Sequence, residues 1–180
     1  MIWPTVVASW GSTPQERAEP FACDRLVEQP DHALFRAVDV DAPTEVVFRW
    51  LCQLRAAPYS YDKLDNFGRR SPQSLTPGLD HLEVGQRFQT IFRLVEFEAG
   101  KSLTMLSAGP IFGRVAVTYR AIAAAGERSR IVVKLLVSYP GLPHGPLVRL
   151  IGPPGDLVMM RRQLLNLRGL AERQAEAAPR

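Results

Sequence analysis

Arg114-Val115-Ala116-Val117-Thr118-Tyr119-Arg120-Ala121-Ile122 and Arg130-Ile131-Val132-Val133-Lys134-Leu135-Leu136-Val137-Ser138-Tyr139 decide the fold. In the first segment Val115, Val117, Tyr119 and Ala121 share one side, while Arg114, Thr118 and Arg120 share the other. In the second, Ile131, Val133, Leu135, Val137 and Tyr139 face one way, and Arg130, Lys134 and Ser138 face the opposite way. A strand sends successive side chains to opposite faces, so this period marks an antiparallel sheet with one covered face. Gly126 between the segments supplies a hairpin turn. Just upstream, residues 86–98 and 101–108 also read as strands, flanking Ala99-Gly100, a two-residue link suited to a tight hairpin. Ala33–Val40 is a further strand by its β-branched and aromatic content.

Between that strand and the sheet segments the period changes. Asp41-Ala42-Pro43-Thr44-Glu45 suits a helix start, with proline at the first helical position and acids that complement the helix dipole. Val46, Val47, Trp50, Leu51 and Leu54 recur at helical spacing, and Pro58 predicts an end near Arg55. Residues 58–82 are dense in Pro, Gly, Ser, Asp and Asn, with an aromatic segment Tyr59-Ser60-Tyr61-Asp62 and a turn at Asn66-Phe67-Gly68. A stretch of this kind inside a domain is either functional or holds a short helix. Pro140–Gly155 reads as a connector containing a short helical piece at Leu147–Ile151. Asp156 then caps a helix expected to run to about Ala175. Leu157, Met160, Leu164, Leu167 and Ala171 form its apolar stripe, widened by Val158 and Leu165. At 1.5 Å per residue it is about 30 Å long, enough to cross a small domain.

The expected architecture is therefore α+β, a curved antiparallel sheet wrapped around a long C-terminal helix. Residues 1–32, with Pro4, Pro14, Pro20 and Pro30, have no sustained period and read as an arm. Trp3, Trp10 and Phe21 predict that it packs on a domain covering residues 33–176, with a turn at Cys23-Asp24.

The chain has 180 residues, 46% hydrophobic and 22% charged, with a net charge of +4. Its basic residues are scattered among acids without a basic block interleaved with aromatics, so nucleic-acid binding is not expected. No run approaches the roughly 18 apolar residues of a membrane span, and residues 1–11 lack a basic start for a signal peptide. Two cysteines make no disulfide framework, so the expectation is a reduced, cytoplasmic protein with no stable membrane insertion. A homodimer is compatible with the sequence. His32, His81 and His144 lack a recurring ligand spacing, and no phosphate loop, nucleophile elbow or dinucleotide fingerprint occurs. No metal and no cofactor is expected.

Residues 38–48 (VDVDAPTEVVF) resemble the strand-to-helix opening of the START-like superfamily, also called SRPBCC or the birch-pollen-allergen fold. Residues 50–54 (WLCQL), 59–66 (YSYDKLDN) and 85–88 (GQRF), with the closing helix 155–167 (GDLVMMRRQLLNL), are similar to bacterial members of that group. Trp10-Gly11 and Cys23-Asp24 match a preceding Pro-Gly-Asp element only weakly, because Ala22-Cys23 replaces Pro-Gly. The resemblance covers about residues 10–175 and implies a helix-grip fold. Its relatives include lipid carriers, plant ligand binders, polyketide cyclases and aromatases, so it transfers no reaction.

A helix-grip fold implies an apolar cavity between sheet and helix, lined here by Phe88, Phe92, Met105, Val117, Tyr119, Val133, Leu135, Met160 and Leu164. The same residues could equally fill a solid core. Tyr119, Tyr61 and Arg87 are the candidates for orienting the polar end of a ligand, and Tyr59 and Tyr61 for lining the mouth. The alternative for that segment is that its rings pack the loop and Asp62 caps a short helix. Asp65-Asn66 with Arg69-Arg70 either gathers an anionic group or forms a solvated loop. Cys52 reads as a buried, inert thiol. The leading function is binding or carriage of a hydrophobic small molecule of lipid, polyketide or isoprenoid type. The alternatives are a polyketide cyclase- or dehydratase-like enzyme, and a protein-interaction module using the arm or the 140–155 connector.

Overall fold

The two alternating segments turn back on one another at Gly126, whose φ of 75° suits a residue without a side chain. The computed structural model describes residues 4–109, 113–139 and 145–177. Within them six strands form one antiparallel, curved sheet: β1 (His32–Val40), β2 (Arg87–Phe88), β3 (Phe92–Glu98), β4 (Ser102–Gly109), β5 (Gly113–Ala124) and β6 (Arg128–Ser138). Their spatial order is β1-β6-β5-β4-β3-β2, so the first strand returns to pair with the last. The expectation of one strand over 86–98 is corrected. Gln89 and Thr90 adopt φ of 43° and 69°, and Phe88 pairs with Phe92 across this turn. The turn is drawn inward because the Gln89 N–H donates to the Leu54 carbonyl at 2.9 Å.

Helix α3 (Thr44–Cys52) and a 3-10 turn at Gln53–Arg55 follow β1, with Pro43 as the N-cap rather than the first helical residue. Val47, Phe48, Trp50, Leu51, Cys52 and Leu54 are buried. The concave face of the sheet is closed by the C-terminal helix α5, which spans Gly145–Ala177. The expected connector therefore shrinks: residues 145–155 are helical, and 140–144, with His144, lie outside the described residues. Pro153 and Pro154 argue locally for a break, since proline removes an N–H donor and crowds the preceding turn. Tertiary contacts override them. Asp156 is held by Arg36 of β1, and a Cβ on Gly152 would lie 2.4 Å from the Tyr139 hydroxyl oxygen. The stripe of α5 is as expected at Met160, Leu164, Leu167 and Ala171, but Val158 is exposed and Gln163 is buried.

The convex face is covered by the N-terminal residues. Helix α1 (Thr5–Ser9) lies against β1 and α5, and helix α2 (Pro14–Ala18, opened by a Thr13–Glu16 capping box) and a 3-10 turn at Ala22–Arg25 continue onto the convex side. Phe21, Cys23 and Val27 pack with Phe35, Ala37, Ala116, Val132 and Leu136, the outward residues of β1, β5 and β6. The Arg120 guanidinium lies 4.0 Å from the Phe21 ring centre, and the Lys134 ammonium is 2.5 Å from Asp24. Arg130 of β6 bonds Glu16, Asp39 and the Gly11 carbonyl. Beside β1 the Ala37 N–H donates to the Trp10 carbonyl at 3.0 Å. This approach requires a glycine at position 11, where φ is 75° and a Cβ would stand 2.0 Å from the Ala37 carbonyl oxygen.

Gly11→Ala is expected to cost about 3 kcal/mol, from left-handed strain plus steric overlap, read by urea denaturation. The Glu16 carboxyl sits below its ordinary pKa of 4.5: burial pushes it up, but the Arg130 contact and the Thr13 donors outweigh that. The stability it contributes is complete above that ordinary value and is lost as pH falls through the depressed one. Glu16→Gln should therefore remove about 1–2 kcal/mol at neutral pH and flatten the acid limb of a stability-versus-pH curve.

Candidate functional site

Register fixes what faces the helix. On the concave side Arg36 (β1) pairs with Val133 (β6), which pairs with Tyr119 (β5), which pairs with Leu103 (β4). Strands lie about 4.8 Å apart, so Arg36 and Tyr119 stand about 10 Å from one another in one row. The adjacent row is apolar: Leu34, Leu135, Val117, Met105 and Leu94. Helix α5 lays Met160, Leu164 and Leu167 against these rows, and Phe88 and Phe92 close the far end.

Two polar devices are set in this apolar interior. The Tyr119 hydroxyl donates to Gln163 Oε1 at 2.7 Å and accepts from Gln89 Nε2 at 3.2 Å. Gln163 Nε2 in turn donates to the Pro58 carbonyl at 2.6 Å. Burial pushes the Tyr119 pKa far up, so the phenol stays protonated and serves as a hydrogen-bond donor. The second device is Arg36, which donates from Nη1 to the Phe35 carbonyl at 2.7 Å and from Nη2 to Asp156 Oδ2 at 2.6 Å. Its Nε is buried with no hydrogen-bond partner among the described residues. Burial pulls the Arg36 pKa down against the pull of Asp156, and burial pushes the Asp156 carboxyl up against the pull of Arg36.

The nine expected wall residues, Phe88, Phe92, Met105, Val117, Tyr119, Val133, Leu135, Met160 and Leu164, are all buried in one cluster. Tyr59 joins it, edge-on to Trp50 with centroids 6.1 Å apart. Its hydroxyl is buried without a hydrogen-bond partner among the described residues, and burial with the nearby Asp62 charge pushes its pKa up to about 12. Tyr61 and Arg87 are both exposed and outside that cluster. Asp62 opens helix α4 (Asp62–Asp65), the short helix inside the 58–82 stretch, and its carboxylate accepts from the Ser71 N–H and hydroxyl. Asp65 accepts from Ser60 and Asn66 donates to the Arg69 carbonyl, and among the described residues Asp65 makes no ion pair with Arg69 or Arg70. Cys52 is buried, which pushes its thiol up to about 12.

Arg36, Gln89 and Gln163 were not singled out from the sequence, and Asp156, expected as a helix cap, lies inside α5 and pairs with Arg36 instead. For two of them a signal existed. Arg36 is in phase with Leu34, Val38 and Val40, and Gln163 lies three residues after Met160 and four before Leu167. Gln89 and Asp156 are brought in by a strained turn and an extended helix, which no period announces.

Two cavities border this interior. One of about 190 Å³ is lined by Arg55, Ala56, Ala57, Asn66, Arg87, Gln89 and Thr90, and thus touches the Tyr119 chain through Gln89. The other, of about 290 Å³, lies between the 59–73 segment and the outer flank of α5, with Tyr59, Asp62, Gln73, Arg162, Asn166 and Arg173 in its wall.

A curved antiparallel sheet gripping a long C-terminal helix is the START-like (SRPBCC) helix-grip fold. Among solved structures the chain is similar to the Zhui aromatase/cyclase from Streptomyces sp. R1128, at 16% identity over 81% of this chain and 96% of that one, TM-score 0.55. It is also similar to protein MLL2253 from Mesorhizobium loti, at 15% identity over 79% and 98%, TM-score 0.54. A third likeness is to protein CV1439 from Chromobacterium violaceum, at 14% identity over 78% and 96%, TM-score 0.50. At these identities the likeness is one of fold. No protein-family model matches the chain, and no curated protein matches its sequence.

Arg36→Met is expected to cost about 3–5 kcal/mol, because it strands the Asp156 carboxylate. Arg36→Met with Asp156→Leu should recover most of that loss in urea denaturation. A double variant as unstable as the single one refutes the ion-pair account.

Proposed function

We propose that this chain binds a hydrophobic small molecule, of lipid, polyketide or isoprenoid type, between the sheet and α5. The supporting observation is the Gln89–Tyr119–Gln163 chain, which runs from an apolar interior to the cavity at the end of β2. Polar groups in a core are costly unless paired, and these pair mainly with one another, so they are available to exchange partners with a polar ligand head. Met105 and Met160 give the walls side chains that repack without branching strain. The access route in this reading is the 89–91 turn, where Gln89 and Thr90 hold positive φ beside a strand of only two residues. Phe88, Phe92, Val117, Val133, Leu135 and Leu164 are then the contact surface, contributing about 25 cal/mol per Å² of ligand buried. Tyr59, lining the flank cavity, belongs to the outer wall.

A cyclase- or dehydratase-like enzyme is the second reading. It is favoured by one arrangement: Tyr119 and Arg36 share a row on the ligand-facing side. A protonated phenol and a guanidinium both stabilise an enolate oxygen, the charge that develops when a poly-carbonyl chain is deprotonated for ring closure. The likeness to an aromatase/cyclase is consistent with this reading as a matter of fold.

The purified chain is expected to carry extractable apolar molecules by mass spectrometry and to enhance the fluorescence of an apolar naphthalene dye. Leu164→Trp, which fills the interior, should abolish both signals. Tyr119→Phe should weaken a long-chain alcohol about fivefold to tenfold while leaving a pure hydrocarbon unaffected, the difference of one hydrogen bond. A protein that is empty and excludes the dye contradicts the proposal.

A further inference from the structure

The 61–70 segment divides its side chains in a way that folding alone does not explain. Its exposed residues are Tyr61, Lys63, Leu64, Phe67, Gly68, Arg69 and Arg70, three apolar or aromatic side chains and three cations. Its two acids are turned inward and occupied: Asp62 by the Ser71 N–H and hydroxyl, Asp65 by the Ser60 hydroxyl. Leu64 is 77% exposed and Phe67 83% exposed. Phe67 also holds φ of 52°, a conformation in which asparagine or glycine sits with less strain than an aromatic residue. Neither its ring nor its backbone is there for the stability of the chain.

The surroundings extend the pattern. Asn66, beside Phe67, and Thr90, beside the exposed Ile91, line the same 190 Å³ cavity, whose wall also contains the exposed Arg87. Lys63, Arg69, Arg70 and Arg87 make no side-chain ion pair or hydrogen bond among the described residues. Apolar tips ringed by unpaired cations, with acids withdrawn, match an interface that is apolar below and anionic at its surface.

We propose that the 61–70 loop, with Ile91 and Arg87, is a docking surface for an anionic lipid bilayer. Leu64 and Phe67 enter the headgroup–acyl boundary, and Lys63, Arg69, Arg70 and Arg87 contact lipid phosphates. The chain adsorbs without spanning: among the described residues no helix is long and apolar enough to cross a membrane. Bulky aliphatic Leu64 favours lipid over single-stranded nucleic acid, which stacks bases on aromatic faces and gains nothing from leucine. This goes beyond ligand binding in the interior, and adsorption is read without cargo, so the two ideas fail separately.

The test is co-sedimentation of the full chain with vesicles of phosphatidylcholine alone or mixed with phosphatidylglycerol, at low and high salt. Binding is expected to the mixed vesicles, weakened by salt. Leu64→Gln with Phe67→Asn should lower partitioning by about tenfold per side chain. Lys63→Gln, Arg69→Gln and Arg70→Gln together should lower it about fivefold per cation. Because asparagine tolerates the backbone at position 67, Phe67→Asn alone should melt no lower than the parent while losing vesicle binding, which separates docking from folding. The proposal is overturned if mixed vesicles are not bound, if these variants bind as the parent does, or if a single-stranded oligonucleotide binds and the vesicles do not.

Discussion

Burial of the α5 stripe against the concave face is the contact on which the remaining structure depends. The sheet brings rows of Leu, Val, Met and Phe to one side, and those rows have to be covered by something long enough to cross several strands. Met160, Leu164, Leu167 and Ala171 meet them at helical spacing. The same docking holds the Pro153-Pro154 region in a helix, because Asp156 is anchored to Arg36 at a point where local propensity favours a break. Everything placed in the interior, from the Tyr119 chain to the Arg36 pair, inherits its geometry from that clamp.

The sheet is covered twice. Antiparallel sheets with one wet face alternate apolar and polar residues, and β5 and β6 keep that alternation only in part: Ala116, Val132 and Leu136 point away from α5 and are also buried. Phe21, Cys23 and Val27 lie on them. The arginines and lysine of the convex face are retained by neutralisation: Arg130 meets Glu16 and Asp39, Arg120 meets Glu19 and the Phe21 ring, and Lys134 meets Asp24. The arm thus completes a second, smaller core.

Sequence patterning revealed the parts of the molecule governed by strict periods. In the 114–122 and 130–139 segments Val115, Val117, Tyr119 and Ala121, and Ile131, Val133, Leu135 and Val137, are buried on one face, as their period implies. The turn at 89–91 escaped because Gln89 and Thr90 carry no glycine-like signal, and their positive φ is imposed by the Leu54 and Tyr119 contacts. The start of α5 escaped because proline is a strong local argument against a helix, which a tertiary ion pair overrode. Tyr61 and Arg87 were singled out because aromatic and cationic residues near a mouth suggest a ligand, and both are exposed rather than part of the apolar cluster. Arg36 was legible by phase with Leu34 and Val38, yet a charge at that position is easily set aside when a strand is assigned by its apolar content.

Strand β1 sits at one margin of the sheet, with a row of backbone amides and carbonyls on its free side. Through Trp10 and Gly11 the arm takes up one of those groups and sits close against the strand at Ala37. The arm therefore acts as a guard against self-association: a chain shorn of it offers the outer edge of a nine-residue strand to any other copy, the geometry from which intermolecular β-sheets grow.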